Sequence, residues 1–312
     1  MIPRRLPAPI SCFNNIRVMI DFEKSEKLPH DRRYFNISII WIFYFRYVIR
    51  VLYWLRVPHE LITLVSIFFG IGAAGLFYNG FLIAAAIALH LKDIFDACDG
   101  AIARLTGRGH LIGRYLDSLG DFLSLTLVML AIAIQASNNG SNIFKFWGII
   151  AIFSTFIQCS FFNYYQLSYL DAFGIKTLSS KRNETGRDDT EDQFRSIPAR
   201  AILNLFRIFY IIVYGWQDKL VAGIDNMLVG QACNLSPEQR FGNRSLMVLQ
   251  SALCFGTHIF IIIIGALLGR PEGALIFIGI VMNIYLFVLL YLRKRHYRAQ
   301  MSQNALFEKS RR

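Results

Sequence analysis

The sequence has little charge for its length. Only 17% of its 312 residues are charged, whereas 54% are hydrophobic, and the mean hydropathy is +0.41. Soluble globular domains carry about 25% charged residues. The composition therefore excludes an ordinary soluble domain and indicates an integral membrane protein.

Acidic residues are especially scarce, because 21 Asp and Glu stand against 33 Lys and Arg, which gives a net charge of +12. In a soluble protein this excess would suggest nucleic acid as a partner, but the sequence contains no nucleic-acid-binding motif. In a membrane protein, basic residues keep loops in the cytosol and attract anionic lipid headgroups. Membrane lipids are therefore expected partners, and nucleic acid is not.

Cysteine is also scarce, and the few present do not form a metal-binding pattern. The five are odd in number, have no metal-ligand spacing and stand mostly among apolar residues. They are expected to be reduced packing residues. The first residues lack the short apolar core and cleavage site of a signal peptide, and the chain has no internal repeat.

Long apolar runs, in contrast, are abundant. About 20 apolar residues cross a ~30 Å hydrocarbon layer as a helix. We predict six such spans, at residues 61–77, 81–105, 111–136, 144–170, 246–268 and 274–292. The predicted fold class is an all-α, multi-pass integral membrane protein.

Basic residues fall on alternate connections between these spans, which predicts their orientation. They cluster before the first span, beside the turn after the second and after the last: Arg46, Arg50, Arg56, Arg104, Arg108, Arg114, Arg293, Lys294, Arg295 and Arg298. Opposite connections carry only Lys145 and Arg270 as exceptions. Because basic loops stay in the cytosol, both termini and the region around Arg104 to Arg114 are predicted to be cytosolic.

Two further segments are apolar but are not predicted to cross. Residues 34–55 suggest an amphipathic helix lying in the membrane interface, with a seventh span as the competing interpretation. In the stretch 171–245, the sequence RAILNLFRIFYIIVYGW could cross, but one more span would place the basic C-terminus on the wrong side, so an in-plane or re-entrant helix is preferred. The predicted organisation is an N-terminal region (1–56), a six-helix transmembrane domain (57–298) with an insertion at 171–245, and a basic cytosolic tail (299–312).

Four aspartates interrupt the apolar runs in the stretch IFDACDGAIARLTGRGHLIGRYLDSLGDFL, residues 94–123. A charged Asp near mid-membrane costs about 2.5 to 3.5 kcal/mol, so such acids usually have a function. Asp96 and Asp99 are three apart, and Asp117 and Asp121 are four apart, so each pair shares one helix face.

The short turn between these two helices predicts that they pack antiparallel, with the acidic stripes facing each other. Carboxylates a few ångströms apart repel strongly, so a positive group is required among them. Oxygen ligands favour hard cations, and four carboxylates could hold two Mg²⁺ or Mn²⁺ ions. The predicted site is therefore a divalent-metal centre.

Small residues and one arginine accompany the acids. Gly100 and Gly113 remove side chains where a ligand could approach, although small-residue helix packing explains a single glycine equally well. Arg104, on the face of Gly100, offers a fork suited to phosphate. Together these residues favour metal-assisted phosphoryl transfer.

The spacing Asp96-x2-Asp99-Gly100-x2-Ala103-Arg104-x8-Gly113-x3-Asp117-x3-Asp121 resembles, without a departure, the signature of the CDP-alcohol phosphotransferase family of membrane phospholipid synthases. The resemblance implies a six-helix fold, usually dimeric, with a polar cavity open to the cytosol and two bound divalent cations. It also implies CDP-activated alcohols and lipids as substrates, with release of CMP.

The resemblance implies a role for each residue of the motif. Asp96, Asp99 and Asp117 would be metal ligands, and Asp121 would complete the second metal site and act as the general base. The other four positions would bind substrate: Gly100 and Ala103 beside the cytidine, Arg104 at the diphosphate and Gly113 where the nucleotide enters. Arg108 and Arg114 are candidates for an anionic acceptor, against the alternative that they only orient the loop.

The expected reaction transfers the phosphatidyl group of CDP-diacylglycerol to a polar alcohol. The alternative within the class is an aminoalcohol transferase that uses CDP-choline or CDP-ethanolamine with diacylglycerol, and the motif does not separate the two. A divalent-cation or proton-coupled transporter is an alternative of another class, but it would spread its acids along a path across the membrane. A non-catalytic scaffold would tolerate Asp121→Asn.

Overall fold

The computed structural model describes residues 42–107, 111–175, 204–230 apart from 206 and 210, and 235–311, and these ranges contain no strand. The helices are α1 (Ile42–Trp54), α2 (His59–Tyr78), α3 (Leu82–Thr106), α4 (Leu111–Asn139), α5 (Ile143–Ala172), α6 (Trp216–Val229), α7 (Pro237–Phe241), α8 (Arg244–Gln250), α9 (Phe255–Leu267) and α10 (Pro271–Arg311). A π-helical turn (Ile211–Gly215) precedes α6, and a 3₁₀ turn (Ser251–Leu253) follows α8.

Within the described ranges, four helices are long and apolar enough to cross a membrane, namely α2, α4, α5 and α10. A fifth crossing is possible if α8 and α9, which meet at a bend of 47°, form one broken span. The chain is therefore a multi-pass membrane protein in its helical architecture. The predicted second span is also helical and corresponds to α3. Its acids and Lys92 make it too polar to count among the helices that could cross a membrane, so the six spans stay a prediction.

Local sequence signals set the ends of the helices around the acidic stretch. Pro58, in extended backbone, occupies the N-cap of α2, where its missing N–H costs nothing. Gly107 ends α3 in the left-handed conformation, with φ of 64°, which glycine adopts without strain. The motif acids of α3 lie in its last three turns, and those of α4 in its first three.

Helix α2 lies at the centre of the acid-bearing helices. It packs along both α3 and α4, whereas among the described residues α3 and α4 make few backbone contacts with each other. The two acid-bearing helices are therefore not packed closely along their backbones, but their acidic side chains face each other as predicted, because Asp96, Asp117 and Asp121 converge. Small side chains allow the close approach of these helices, and the core around them is rich in alanine: Ala73, Ala74, Ala85, Ala86, Ala88, Ala131 and Ala133.

Helix α1 is amphipathic and rests on α3. Phe45 and Ile49 are buried against a cluster that includes Ile94, while Arg46 and Trp54 are exposed. The Tyr44 hydroxyl lies 2.7 Å from His90 Nε2, and burial, reinforced by the charge of Asp93, raises the pKa of Tyr44 to about 12. The interfacial location of α1 stays a prediction, and residues 34–41 lie outside the described part.

The predicted fifth span is broken rather than continuous. The chain bends at Cys254, whose backbone is extended, between the 3₁₀ turn and α9. His258 fills the interior beside this bend, with Nδ1 2.9 Å from the Cys254 carbonyl oxygen and Nε2 2.7 Å from Gln158 Oε1. Polar groups freed by the break are thus satisfied inside the bundle, as a membrane interior requires.

The insertion is tied to the bundle by a buried carboxylate. Asp225 of α6 is 0% exposed, and its Oδ1 accepts hydrogen bonds of 2.8 Å from both Tyr165 of α5 and Tyr297 of α10. Its Oδ2 accepts a 3.1 Å hydrogen bond from Arg240 Nε. Burial alone would lower the pKa of Arg240, but the Asp225 carboxylate outweighs it and raises that pKa. We name Asp225, Tyr165, Tyr297 and Arg240 the Asp225 cluster.

Helix α6 runs parallel to α5. Ser160 donates a 2.6 Å hydrogen bond to Gln217, near the start of α6, and Tyr165 contacts Asp225 near its end. Both helices thus end at the same side of the bundle. This direction is the one expected for the outward limb of a re-entrant segment, although most of the residues that would form the inward limb, 176–203, lie outside the described part.

The last helix continues beyond the predicted span. Helix α10 has 41 residues, about 60 Å at 1.5 Å per residue, whereas the predicted span ended at residue 292. Arg293, only 2% exposed, donates to Gln250 Oε1 from Nε at 2.9 Å and stacks 3.4 Å above the Tyr165 ring. The region predicted as a tail is thus largely part of this helix.

Candidate active site

Three of the four motif aspartates converge in the structure. Asp96 of α3 and Asp117 and Asp121 of α4 each offer a carboxylate oxygen, and these oxygens lie within 4.8 Å of one another. All three side chains are half-buried. The acids of α3 and α4 thus meet through their side chains, although the backbones of the two helices make few contacts.

Asp99, the fourth motif aspartate, is not part of that group of three. It is buried, and its Oδ2 accepts a 2.6 Å hydrogen bond from the Thr63 hydroxyl of α2. Thr63 also donates to the His59 carbonyl oxygen at 3.1 Å, so its hydroxyl is shared between the two acceptors. The orientation of the Asp99 carboxylate is therefore set by α2.

The donor set fits a hard divalent cation. Asp117 Oδ1 is buried and has no hydrogen-bond partner among the described residues. A buried, unpaired carboxylate oxygen is costly, and neighbouring acids make it more so. An oxygen-binding cation between Asp96, Asp117 and Asp121 would satisfy it, as carboxylates are the preferred ligands of Mg²⁺ and Mn²⁺.

A lysine within the cluster was not among the predicted site residues. Lys92 is 3% exposed, and its ammonium group pairs with Asp121 Oδ1 and lies 3.3 Å from Asp96 Oδ1. The sequence contained a signal for it, because Lys92 precedes Asp96 by one helical turn and so shares its face. Part of the positive charge that the acids require is thus supplied by the chain itself.

Arg104 folds back over Gly100. A Cβ atom added to Gly100 would lie 3.2 Å from Arg104 Nη1, so the glycine leaves room for the guanidinium group. Ala103 is half-buried on the same helix. This arrangement places a cationic fork beside the acids, one turn after Asp99, where it could receive a phosphate group.

Gly113, near the start of α4, lies next to His59 of α2. A Cβ atom there would lie 3.6 Å from His59 Cε1, and His59 Nδ1 lies 2.8 Å from Glu60 Oε2. His59 of α2 therefore lies beside a motif glycine. Arg108 lies outside the described residues, and the side chain of Arg114 is not described either, so their acceptor-binding role stays a prediction.

A family model of the CDP-alcohol phosphatidyltransferases matches residues 56–231, more than half of the chain. The protein therefore belongs to the CDP-alcohol phosphatidyltransferase family, whose members are CDP-alcohol phosphotransferases. No curated protein and no solved structure matches the chain. The resemblance drawn from the motif is thus confirmed at the level of the family and of the enzyme class.

Proposed function

We propose that the enzyme transfers the phosphatidyl group of CDP-diacylglycerol to the hydroxyl group of a polar alcohol and releases CMP. The observation that carries the proposal is the convergence of Asp96, Asp117 and Asp121, with the unpaired Asp117 Oδ1 among them. Arg104 beside Gly100 adds a phosphate-binding cation to the same place. Phosphoryl transfer needs carboxylates that bind a metal ion and a cationic side chain that binds the diphosphate, and both are present here.

The acids would hold two divalent cations, with Asp96, Asp99, Asp117 and Asp121 as ligands. Such cations, when bound, neutralise the charge that develops on the diphosphate and on departing CMP. Magnesium or manganese would suit the all-oxygen ligand set. Thr63 would keep the Asp99 carboxylate turned toward its ligand position through the 2.6 Å hydrogen bond.

Within the reaction, Asp121 would remove the proton from the acceptor hydroxyl. Positioned general bases contribute about 10² to 10⁴ in rate, and an alcohol needs this help at neutral pH. Arg104 would bind the diphosphate, and Gly100, Ala103 and Gly113 would leave space for the cytidine. The attacking oxygen forms a bond to the β-phosphorus as that phosphorus loses its bond to the CMP oxygen.

We further propose that α3 crosses the membrane as the second of six spans, with the site at the cytosolic boundary. Its first ten residues, 82–91, have no Asp, Glu, Lys or Arg, and its acids all follow them. The basic residues around the end of α3 and in the second half of α10 support this orientation. A homodimer is proposed on the family resemblance, and α1 is proposed to lie in the interface with its arginines toward lipid phosphates.

The test is CMP release from purified protein in detergent or vesicles. CDP-diacylglycerol would be offered with a panel of soluble alcohols, and CDP-choline or CDP-ethanolamine would be offered with diacylglycerol, each with Mg²⁺ or Mn²⁺. The proposal expects CMP only with CDP-diacylglycerol and one of the alcohols. Release from CDP-choline or CDP-ethanolamine would instead establish the aminoalcohol alternative, and no release in any combination would reject both.

A further inference from the structure

A lysine that is not part of the family motif occupies the acidic cluster. The ammonium group of Lys92 pairs with Asp121 and lies 3.3 Å from Asp96, while the residue as a whole is 3% exposed. Among the described residues, Asp96, Asp117 and Asp121 are the group of carboxylates able to hold a metal. Lys92 therefore engages two of those three potential ligands.

The path of the Lys92 side chain is set by α2. A Cβ atom on Gly70 would lie 3.4 Å from Lys92 Cγ and 2.4 Å from Ser124 Oγ, so the missing side chain of Gly70 leaves room between the helices. Ser66, one turn earlier on α2, donates a 3.0 Å hydrogen bond to the Lys92 carbonyl oxygen. The fold thus delivers the ammonium group to the cluster rather than to solvent.

An ammonium group in this position has two opposing effects. It offsets the mutual repulsion of the carboxylates, so it holds Asp96 and Asp121 together when no metal is bound. It also competes with a divalent cation for the same oxygens and repels that cation directly, since both are positive. Burial strengthens both effects, because water screens them less.

We propose that Lys92 is a positioning residue that acts as the fixed cation of the active site and weakens metal binding at Asp121 until a nucleotide diphosphate arrives. The negative charge of the diphosphate then favours full occupation by divalent cations. This inference rests on the proposed function, because it assigns the cluster to metal and nucleotide. An ordinary structural ion pair would stabilise the fold but would not oppose metal binding.

The experiment measures Mn²⁺ binding by the electron paramagnetic resonance signal of free Mn²⁺, with purified protein and no substrate. Lys92→Met removes the charge and keeps most of the side-chain length, whereas Lys92→Arg keeps the charge. Lys145→Met is the control, because it removes an exposed lysine near the start of α5. We expect Lys92→Met to bind Mn²⁺ at least tenfold more tightly than the wild type. Lys92→Arg and Lys145→Met should stay within about threefold of the wild type.

A second titration adds cytidine diphosphate, which supplies the diphosphate without a lipid. We expect the nucleotide to tighten Mn²⁺ binding more in the wild type than in Lys92→Met, because the variant has already lost the competing cation. Equal Mn²⁺ affinities for the wild type and Lys92→Met, with or without nucleotide, would overturn the inference. Weaker Mn²⁺ binding by Lys92→Met would overturn it as well.

If Lys92→Met does not fold, the comparison moves to a background with one acid fewer. Asp121→Asn and the double variant Lys92→Met/Asp121→Asn differ only in the lysine, and Asp96 remains as the shared ligand. The double variant should bind Mn²⁺ more tightly than the single one, and equal binding would overturn the inference.

Failure of this inference is distinguishable from failure of the proposed function. If the wild type releases CMP and Lys92→Met binds Mn²⁺ like the wild type, only the role of Lys92 is rejected. If the wild type releases no CMP from any donor and acceptor, the proposed function is rejected, whatever the Mn²⁺ titrations give.

Discussion

The hydroxyl of Tyr214 donates a hydrogen bond to the backbone carbonyl oxygen of Ser118 over 2.9 Å. Ser118 directly follows Asp117 on α4, and the Tyr214 ring also packs near Phe122, the neighbour of Asp121, with ring centroids 6.5 Å apart. The π-helical turn before α6 therefore touches the acid-bearing helix from outside. Through this contact the insertion can influence how Asp117 and Asp121 are held.

Replacing Tyr214 by phenylalanine should remove that hydrogen bond and keep the ring packing. Loss of one buried hydrogen bond costs about 1 kcal/mol. We expect a small fall in thermal stability together with a several-fold lower kcat for CMP release. Tyr78→Phe, at an exposed tyrosine, is the matched control and should change neither. A normal kcat in Tyr214→Phe would show that the insertion does not help to position α4.

Asp121→Asn should abolish the base while keeping the shape of the side chain. We expect kcat to fall by roughly 10² to 10⁴, the usual contribution of a general base. Binding of CMP should persist, as measured by equilibrium dialysis with labelled nucleotide. Asp171→Asn, at an exposed carboxylate, serves as the control. Full turnover by Asp121→Asn would leave the base unassigned.

Arg104→Lys should keep the positive charge but lose the ability to donate two parallel hydrogen bonds to one phosphate group. Lysine is a point charge and cannot reproduce bidentate binding of a phosphate. We expect KM for the CDP-alcohol to rise about tenfold, which corresponds to about 1.4 kcal/mol, with a smaller change in kcat. Arg270→Lys, exposed at the opposite end of the bundle, should behave as the wild type. An unchanged KM would place the diphosphate elsewhere.

Asp225→Asn should destabilise the packing of α6 and α7 against α5 and α10. The substitution leaves the Arg240 guanidinium group without its buried carboxylate, and breaking a buried pair costs about 3 to 5 kcal/mol. Because Arg240 is partly exposed, we expect about 2 kcal/mol, seen as a lower midpoint of thermal unfolding in detergent. Glu238→Gln, exposed on α7, should leave the midpoint unchanged. Equal midpoints would mean that the Asp225 cluster does not hold the insertion.

Removal of divalent metal should lower stability through the acidic cluster. A ligand present at 100 times its dissociation constant stabilises the folded state by about 2.7 kcal/mol. We therefore expect Mn²⁺ to raise the unfolding midpoint of a chelator-treated sample. The unfolding midpoint of Asp117→Asn should rise much less on addition of Mn²⁺, because a neutral amide replaces the carboxylate with the unpaired oxygen. An identical response in wild type and Asp117→Asn would exclude Asp117 as a ligand.

The sequence predicted the helices well because apolar runs leave a simple signal. Apolar runs predicted spans within a few residues of α2, α3, α4 and α5, and the family followed from eight fixed motif positions. The break at Cys254 could not be predicted, because the apolar composition continues through it. The extension of α10 was missed because its charged end looks like an unstructured tail, although its contacts with Asp225 and Gln250 keep it helical.

The arrangement of the site was harder to predict than its composition. Sequence spacing placed the acids on helix faces, but it could not show that α3 and α4 both pack along α2, with few backbone contacts between them, while their carboxylates meet. Lys92 was not predicted as a site residue, because its spacing from Asp96 shows a shared helix face but not that its long side chain also reaches Asp121 on another helix. The contact depends on the room left by Gly70, which only the packing reveals.

The C-terminal half of α10 has a practical consequence for shortened versions of the protein. Tyr297 of α10 is buried against Val229 of α6 and donates to Asp225, so the insertion and the last helix share one core. Deleting residues 171–245 would strip partners from a helix that also runs through the membrane. A truncated protein of that kind should precipitate on extraction instead of yielding a minimal enzyme.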